Sequence, residues 1–519
     1  MIHVGALLET RTLECPDRVY LVCPGMEVSF SKLNERVDRT TVGLHALGVA
    51  RGDRAALLVG NCPEFLYLWW GLWKLGAVMV PVNLRLTARE AAYIINHCGA
   101  RVAVVGPECR GLLPELKTTC PRVTHWVSQG PEPPEGMTSV EGFLNLSGRP
   151  PETLIDLDAP ASILYTSGTT GFPKGVVHSQ ANYLRTGASF AATTRLQPSD
   201  RLLTANPLYH VNAQFYSAMG TLCAGATFIL MEKFSASRMW EWTKEYRANK
   251  VVMLLALTSI LFNRDPRPDD AGNPVEVVVA GGAPKGHYRD FEHRFGVRLQ
   301  TLYSLSESVL AVMGMPDEDC VDGAVGRPML TPPEEPNLAR VVDEQDREVS
   351  PGAPGEIVLR NSAMMKGYYE SPEDTAQVLR GGWLHTGDRG VMDERGLLYF
   401  VGRVKDVIRK KGENISAAEV ETVLLAHPSV AEVAVMGVQT ADSAGEEEIQ
   451  ACVVWRPGSE QDWEALIAHC AGALADFKVP RLWQAWGELP KNSMNRVVKP
   501  RLKENSAEAG PVYDRRKQV

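Results

Sequence analysis

From residue 31 to residue 105 the chain switches repeatedly between a helical and a strand-like hydrophobic period. This alternation restricts the fold more than any other feature. Leu33, Val37, Leu44 and Leu47 share one side of a helix that Ser31 would cap and Gly48 would end. Residues 55–59, AALLV, then read as a buried strand. Thr87 with Glu90 three positions on is a capping box, and the helix it opens runs to about His97. Residues 101–105, RVAVV, form the next strand. Such alternation specifies βαβ units built into mostly parallel sheets. The expected class is α/β, and strand-like runs at 226–230, 251–255 and 275–279 extend it.

At 519 residues the chain is too long for one core, so two or three domains are expected. Lys and Arg number 54 against 62 Asp and Glu, a net charge of −8, which argues against nucleic acid as a partner. Any bound anion must therefore be held by local charge. The ten cysteines form no CxxC pair and read as reduced and unliganded, as in a cytoplasmic protein. The N-terminus has neither a basic start nor a long apolar core, so no signal peptide is expected. Residues 65–82 could be mistaken for a membrane span, yet they contain Lys74 and Pro81 and divide at Gly76. A buried helix followed by a buried strand is the expected reading, with no span.

Residues 165–176 read YTSGTTGFPKGV and follow an apolar strand end at Ile163, Leu164 and Tyr165. From Thr166 to Gly175, ten positions hold three glycines, four hydroxyl residues and Lys174. Glycines let backbone N–H groups approach a ligand closely, hydroxyls add donors, and the lysine adds a mobile positive charge. Thr166, Ser167, Gly168, Thr169, Thr170, Gly171 and Lys174 thus form a candidate polyphosphate grip. No Gly-Lys-Ser/Thr and no Gly-x-Gly-x-x-Gly occurs there, which excludes a Walker A loop and a dinucleotide fingerprint.

Further motifs follow in a set order: NPLYH at 206–210, AGGAP at 280–284, LYSLSE at 302–307, GEIVLR at 355–360 and WLHTGD at 383–388. GRVKD at 402–406, KGENI at 411–415 and LPKNSMNR at 489–496 complete the series. After residue 401 the character changes. A basic run at 403–411 precedes a helix, strands at 430–438 and 449–455, and a further helix, which is a small α+β unit. Each motif alone is weak, but their order covers almost the whole chain. The sequence resembles the adenylate-forming superfamily of acyl-CoA synthetases, peptide-synthetase adenylation domains and beetle luciferases. Its wording is similar to acyl-CoA ligases, and NCPEF at 61–65 and ATFILMEK at 226–233 resemble the carnitine/crotonobetaine-CoA ligase group.

The resemblance implies a large N-terminal domain at 1–402, holding the nucleotide and acid, and a small mobile domain at 403–519, hinged near Lys405. It implies two steps. A carboxylate attacks the α-phosphate of ATP, giving acyl-adenylate and pyrophosphate, and the thiol of CoA then attacks the adenylate. Lys174 and its loop would hold the β- and γ-phosphates, Glu307 would hold Mg²⁺, and Ser306 would offer its hydroxyl to the α-phosphate. Tyr303 would stack on adenine beside the loop of Gly281, Gly282, Ala283 and Pro284. Asp388 would accept both ribose hydroxyls, and Arg403 would reach ribose or phosphate. Gly412 would line the pantetheine tunnel, and His210 would gate the acyl group. Ser304 replaces the usual glycine and would reshape one wall of the acid pocket. Tyr209, Phe215, Tyr216 and Met219 are pocket or core residues, two roles that sequence does not separate.

One departure stands out. The family's last motif, Pro-x-x-x-x-Gly-Lys, carries the adenylation lysine, and here Pro490 leads at that spacing to Asn495 and Arg496. A planar guanidinium does not reproduce an ammonium point charge. Losing a well-placed transition-state charge contact costs on the order of 3–4 kcal/mol. The expectation is an acyl-CoA ligase that adenylates poorly and transfers a preformed acyl-adenylate, supplied by a separate ligase, to CoA. Alternatives are a complete ATP-dependent ligase, an adenylating enzyme that loads a carrier protein, a luciferase-like oxygenase and a non-catalytic nucleotide binder. The small residues at 281–283 favour a sizeable apolar acid, and a split ligase fits specialised metabolism.

Overall fold

The computed structural model describes residues 2–130, 132–166, 173–281, 286–403, 407–410, 413–440, 447–474, 476–492, 497–504 and 509–515. Contacts divide the chain into two compact units, residues 1–339 with 358–385, and residues 340–357 with 386–519.

The first unit carries the predicted α/β alternation. In one sheet the parallel strands Val19–Cys23, Thr227–Leu230, Arg201–Thr204, Lys250–Met253, Val277–Ala280 and Arg298–Leu305 lie side by side in that order. The antiparallel strands Ser308–Met313 and Ala324–Pro328 follow on one flank. An eight-stranded sheet runs Gly367–Tyr368, Lys174–Ser179, Pro160–Thr166, Val78–Pro81, Arg54–Leu58, Val102–Val105, His125–Ser128, Thr138–Ser139. Lys174–Ser179 runs antiparallel to both its neighbours, and the remaining pairings are parallel.

The stretch at 65–82 is the expected pair, helix Pro63–Lys74 and strand Val78–Pro81, both buried. Phe65, Tyr67, Trp69, Trp70 and Trp73 are all at most 1% exposed. Burying one such ring contributes about 1.5–3 kcal/mol, so this helix anchors the core. Lys74 is tolerated there because its ammonium meets Glu9 at 2.7 Å and Asp38 at 2.6 Å. Among the described residues no helix is long and apolar enough to cross a membrane.

The capping box forms as read: Thr87 and Glu90 close it, and the helix spans Ala88–His97. Ser31 is not a cap. The helix is Phe30–Ala46, and Ser29 accepts from the Lys32 N–H, because burying Phe30 draws the start of the helix toward the N-terminus. Gly48, with φ of 77°, follows its end as predicted.

The second unit contains the expected α+β arrangement. Strands Val430–Val438, Glu448–Trp455, Leu482–Ala485 and Tyr513–Asp514 form one sheet. Helices Ala417–Leu425 and Trp463–Ala473 pack their apolar sides on it, burying Val420, Leu424 and Leu466 against Val435, Val453 and Trp483.

Candidate active site

Four neighbouring parallel strands of the first sheet end on one edge. Thr204 lies beside Val252, Met253 beside Ala280, and Ala280 beside Thr301. The chain leaves that edge through Asn206–His210, Leu254, Gly281 and Tyr303–Leu305. Ligands of such sheets bind beyond the carboxyl ends of the strands, so three motifs far apart in sequence converge where a ligand is expected. A Cβ on Gly281 would lie 3.2 Å from that of Leu255, so the approach there is close.

The residues whose roles sequence left open now separate. Phe215, Tyr216 and Met219 are fully buried. Phe215 stacks on Tyr183 with ring centres 3.6 Å apart. The Tyr216 hydroxyl donates to the Val309 carbonyl at 2.8 Å and bonds to the Ser304 side chain, while burial pushes the phenol pKa up. Phe215 and Tyr216 lie in a π-helical segment, Asn212–Ala218, immediately after the NPLYH motif. Tyr209 and His210 stay partly exposed, ring edge to ring face at 4.6 Å. They are the members of the group that a ligand can touch.

Leu305 pairs with Ser308, so Ser306 and Glu307 alone make the turn between two strands. That turn is held from the other sheet. The His178 Nε2–H donates to the Ser306 carbonyl at 2.7 Å, and its Nδ1 accepts from the Asn182 amide at 2.9 Å. These partners define a neutral imidazole, and burial holds its pKa down at about 4. The Met365 N–H donates to the Glu307 carbonyl at 2.8 Å. The Tyr368 hydroxyl donates to Glu307 Oε1 at 2.8 Å, with its pKa raised by burial and then by the Glu307 charge. Sequence reading missed His178, Asn182 and Tyr368. The available signal was a histidine and asparagine four positions apart just after the glycine-rich loop.

Lys174 lies at the end of the loop, where the following strand begins. Its backbone pairs with Thr166 across the hairpin. Its ammonium lies 2.8 Å from Asp374 Oδ1 and 5.2 Å from the centre of the Tyr368 ring. The Lys174 and Ser371 side chains hold the Asp374 carboxyl below its usual pKa.

In the second unit Asp388 is 5% exposed, and its N–H donates to Thr386 Oγ1 at 3.0 Å. In strand register it lies opposite Arg403. Tyr303 is 9% exposed, Ser304 and Ser306 more so. Ser167, Gly168, Thr169, Thr170, Gly171, Gly282, Ala283, Pro284, Lys405, Gly412 and Arg496 lie outside the described residues.

Glu307 is a single hard-oxygen donor, and the described residues contain no group of three His, Cys, Asp or Glu side chains that could hold a metal ion. That set does not suit a closed zinc site. It does fit Mg²⁺, which is commonly held by one or two carboxylates and completes its shell with water and substrate phosphates.

The strand-end edge and the fixed carboxylate turn stand where the sequence motifs place a ligand, and the comparisons give the class. Residues 8–369 match the family described as AMP-binding enzyme, and residues 419–495 match the AMP-binding enzyme C-terminal domain. The chain belongs to the adenylate-forming family as an acyl-CoA ligase. It is 33% identical over 499 residues to crotonobetaine/carnitine–CoA ligase of Salmonella heidelberg, covering 93% of this chain and 95% of that one. The anthranilate CoA ligase AuaEII in complex with anthranoyl-AMP superimposes with a TM-score of 0.87 at 25% identity, covering 98% and 97% of the two chains. ATP-bound MatB from Rhodopseudomonas palustris gives 0.86 at 28%, covering 97% and 99%.

Proposed function

We propose that this ligase works chiefly in the second half of its reaction, moving the acyl group of a preformed acyl-adenylate onto CoA. One observation carries the reading. Arg496 stands where the family's last motif has lysine, and the two nearest lysines are already engaged. Lys491 meets Glu432 at 2.7 Å and Lys499 meets Glu421 at 2.9 Å. Neither stands as a ready replacement for the missing ammonium.

In the favoured step the CoA sulfur bonds to the acyl carbon, the bond from that carbon to the phosphate oxygen breaks, and AMP leaves. Tyr303 would support adenine, Asp388 would accept from the ribose hydroxyls, and Ser306 would bind the α-phosphate. His210 and Tyr209 would border the acyl group, a sizeable apolar acid. Arg403, the Lys405 hinge between 1–402 and 403–519, and Gly412 would serve the CoA-accepting state. Glu307 would hold Mg²⁺, whose charge would offset that of the phosphates. A separate ligase would supply the adenylate.

The retained Lys174 and Glu307 favour a second reading, a complete ATP-dependent ligase. A paired assay decides. Pyrophosphate exchange with free acids is expected near background, while synthetic acyl-AMP with CoA gives thioester. Robust ATP-dependent turnover of a free acid would overturn the proposal.

A further inference from the structure

Outside the residues already assigned roles, one charged contact bears directly on the nucleotide. Lys174 begins the strand after the glycine-rich loop, so its backbone is fixed at the loop's mouth. Its ammonium is not left to solvent but bonds Asp374 at 2.8 Å. Asp374 is itself held, since the Ser371 hydroxyl donates to its second oxygen at 2.7 Å. Ser371 is tied in turn, its carbonyl accepting from the Thr375 hydroxyl, which accepts from the Tyr368 N–H, each at 2.8 Å. The carboxylate therefore belongs to a hydrogen-bonded frame, and its low pKa keeps it charged at neutral pH.

We infer that Asp374 is a specificity-determining residue that sets the preference between an adenylate and a nucleotide triphosphate. The inference rests on the reading of Lys174 as the residue that faces β- and γ-phosphates. An adenylate has neither group, so it leaves the Lys174–Asp374 pair intact. A triphosphate must either draw Lys174 away from Asp374 or bring its own negative charge beside an unreleased carboxylate. Both cost affinity, and neither applies to AMP. The site is thus biased toward the ligand of the second half-reaction by a contact separate in sequence from Arg496.

The test is calorimetric binding of two probes, AMP and the non-hydrolysable α,β-methylene-ATP, to the full-length wild type, Asp374→Asn and Glu373→Gln. Glu373 is the exposed neighbouring carboxylate and serves as the control for bulk charge. Asp374→Asn is expected to tighten the ATP analogue about three- to fivefold, the scale of one partly exposed ion pair. AMP affinity should stay within about twofold, and Glu373→Gln should change neither. Unchanged analogue binding in Asp374→Asn would overturn the inference. An equal gain in Glu373→Gln would also overturn it, because bulk charge rather than the pair would be responsible. Because the readout is binding, it is separate from the assay of acyl transfer. Efficient adenylation by the wild type would sink the proposed function while leaving this comparison informative.

Discussion

The Tyr368 hydroxyl donates to the Glu307 carboxylate across 2.8 Å, and the same ring lies 5.2 Å from the Lys174 ammonium. One phenol therefore touches both the carboxylate assigned to the cation and the lysine assigned to the phosphates. Tyr368→Phe removes the hydroxyl and keeps the ring. A hydrogen bond to a charged group contributes about 1.5–3 kcal/mol, so Mg²⁺-dependent binding of an ATP analogue should weaken about tenfold or more. Binding of AMP without Mg²⁺ and the melting temperature should hardly move. Equal weakening of both ligands would mean that Tyr368 only supports the fold.

Arg496→Lys restores the family's residue. Pyrophosphate exchange is expected to rise about 10²–10³-fold, the usual worth of a preorganised charge contact. Lys491→Ala and Lys499→Ala should leave exchange unchanged, since each lysine is engaged by a glutamate. Each should cost no more than about 1 kcal/mol of stability, because partly exposed pairs contribute little. A fall in exchange in either alanine variant would identify that lysine as the stand-in.

His178 gives a pH dependence with a definite sign. Its folded pKa of about 4 lies below the ordinary 6.5. Above 6.5 the imidazole is neutral folded or unfolded, and its contribution is fully present. As pH falls from 6.5 toward 4, the unfolded chain takes up the proton first and stability is lost. The loss is on the order of 3 kcal/mol once pH is below both values. His178→Gln, which has no proton to gain, should flatten this part of the profile of unfolding free energy against pH. An unchanged slope would contradict the neutral, buried assignment.

Ser304, which the resemblance sets in a wall of the acid pocket, bonds to the buried Tyr216. Ser304→Gly removes one of the two hydrogen-bond partners of the Tyr216 oxygen, at a cost of about 0.5–1.5 kcal/mol in stability. It also opens space on the wall that Ser304 occupies. Across a series of acyl-adenylates of increasing size, KM should fall for the bulkier members relative to wild type. A uniform change across the series would show that the serine does not line the pocket.

Much of this was legible where the signal is local. Thr87 and Glu90 close a contact three residues apart, and the glycine at 76 divides a helix from a strand within one stretch. Short-range patterns such as these survive folding unchanged. Boundaries were less legible: the strand read at 251–255 is Lys250–Met253, because Leu255 already begins a helix and apolar composition suits both. The candidates Tyr303, Ser306 and Glu307 could be read together because they share one six-residue motif. Their supports were not. Tyr368 is 61 positions from Glu307, and His178 is 128 from Ser306, and no periodicity marks a pair that only the tertiary fold brings together. The partner of Lys174 was unreadable for the same reason, since a sequence displays its charge but not the aspartate that meets it.

The π-helical turn at Asn212–Ala218 has an evolutionary consequence. A π turn carries one more residue than an α turn over much the same length. Deleting one residue there would let the segment relax to an ordinary α-helix while the residues on either side of it keep their places. Within the segment the side chains would shift by one position, and Phe215 would leave the face of Tyr183. A single-codon loss would thus repack the core around Tyr183 in one step while leaving the parallel strands before and after it in register.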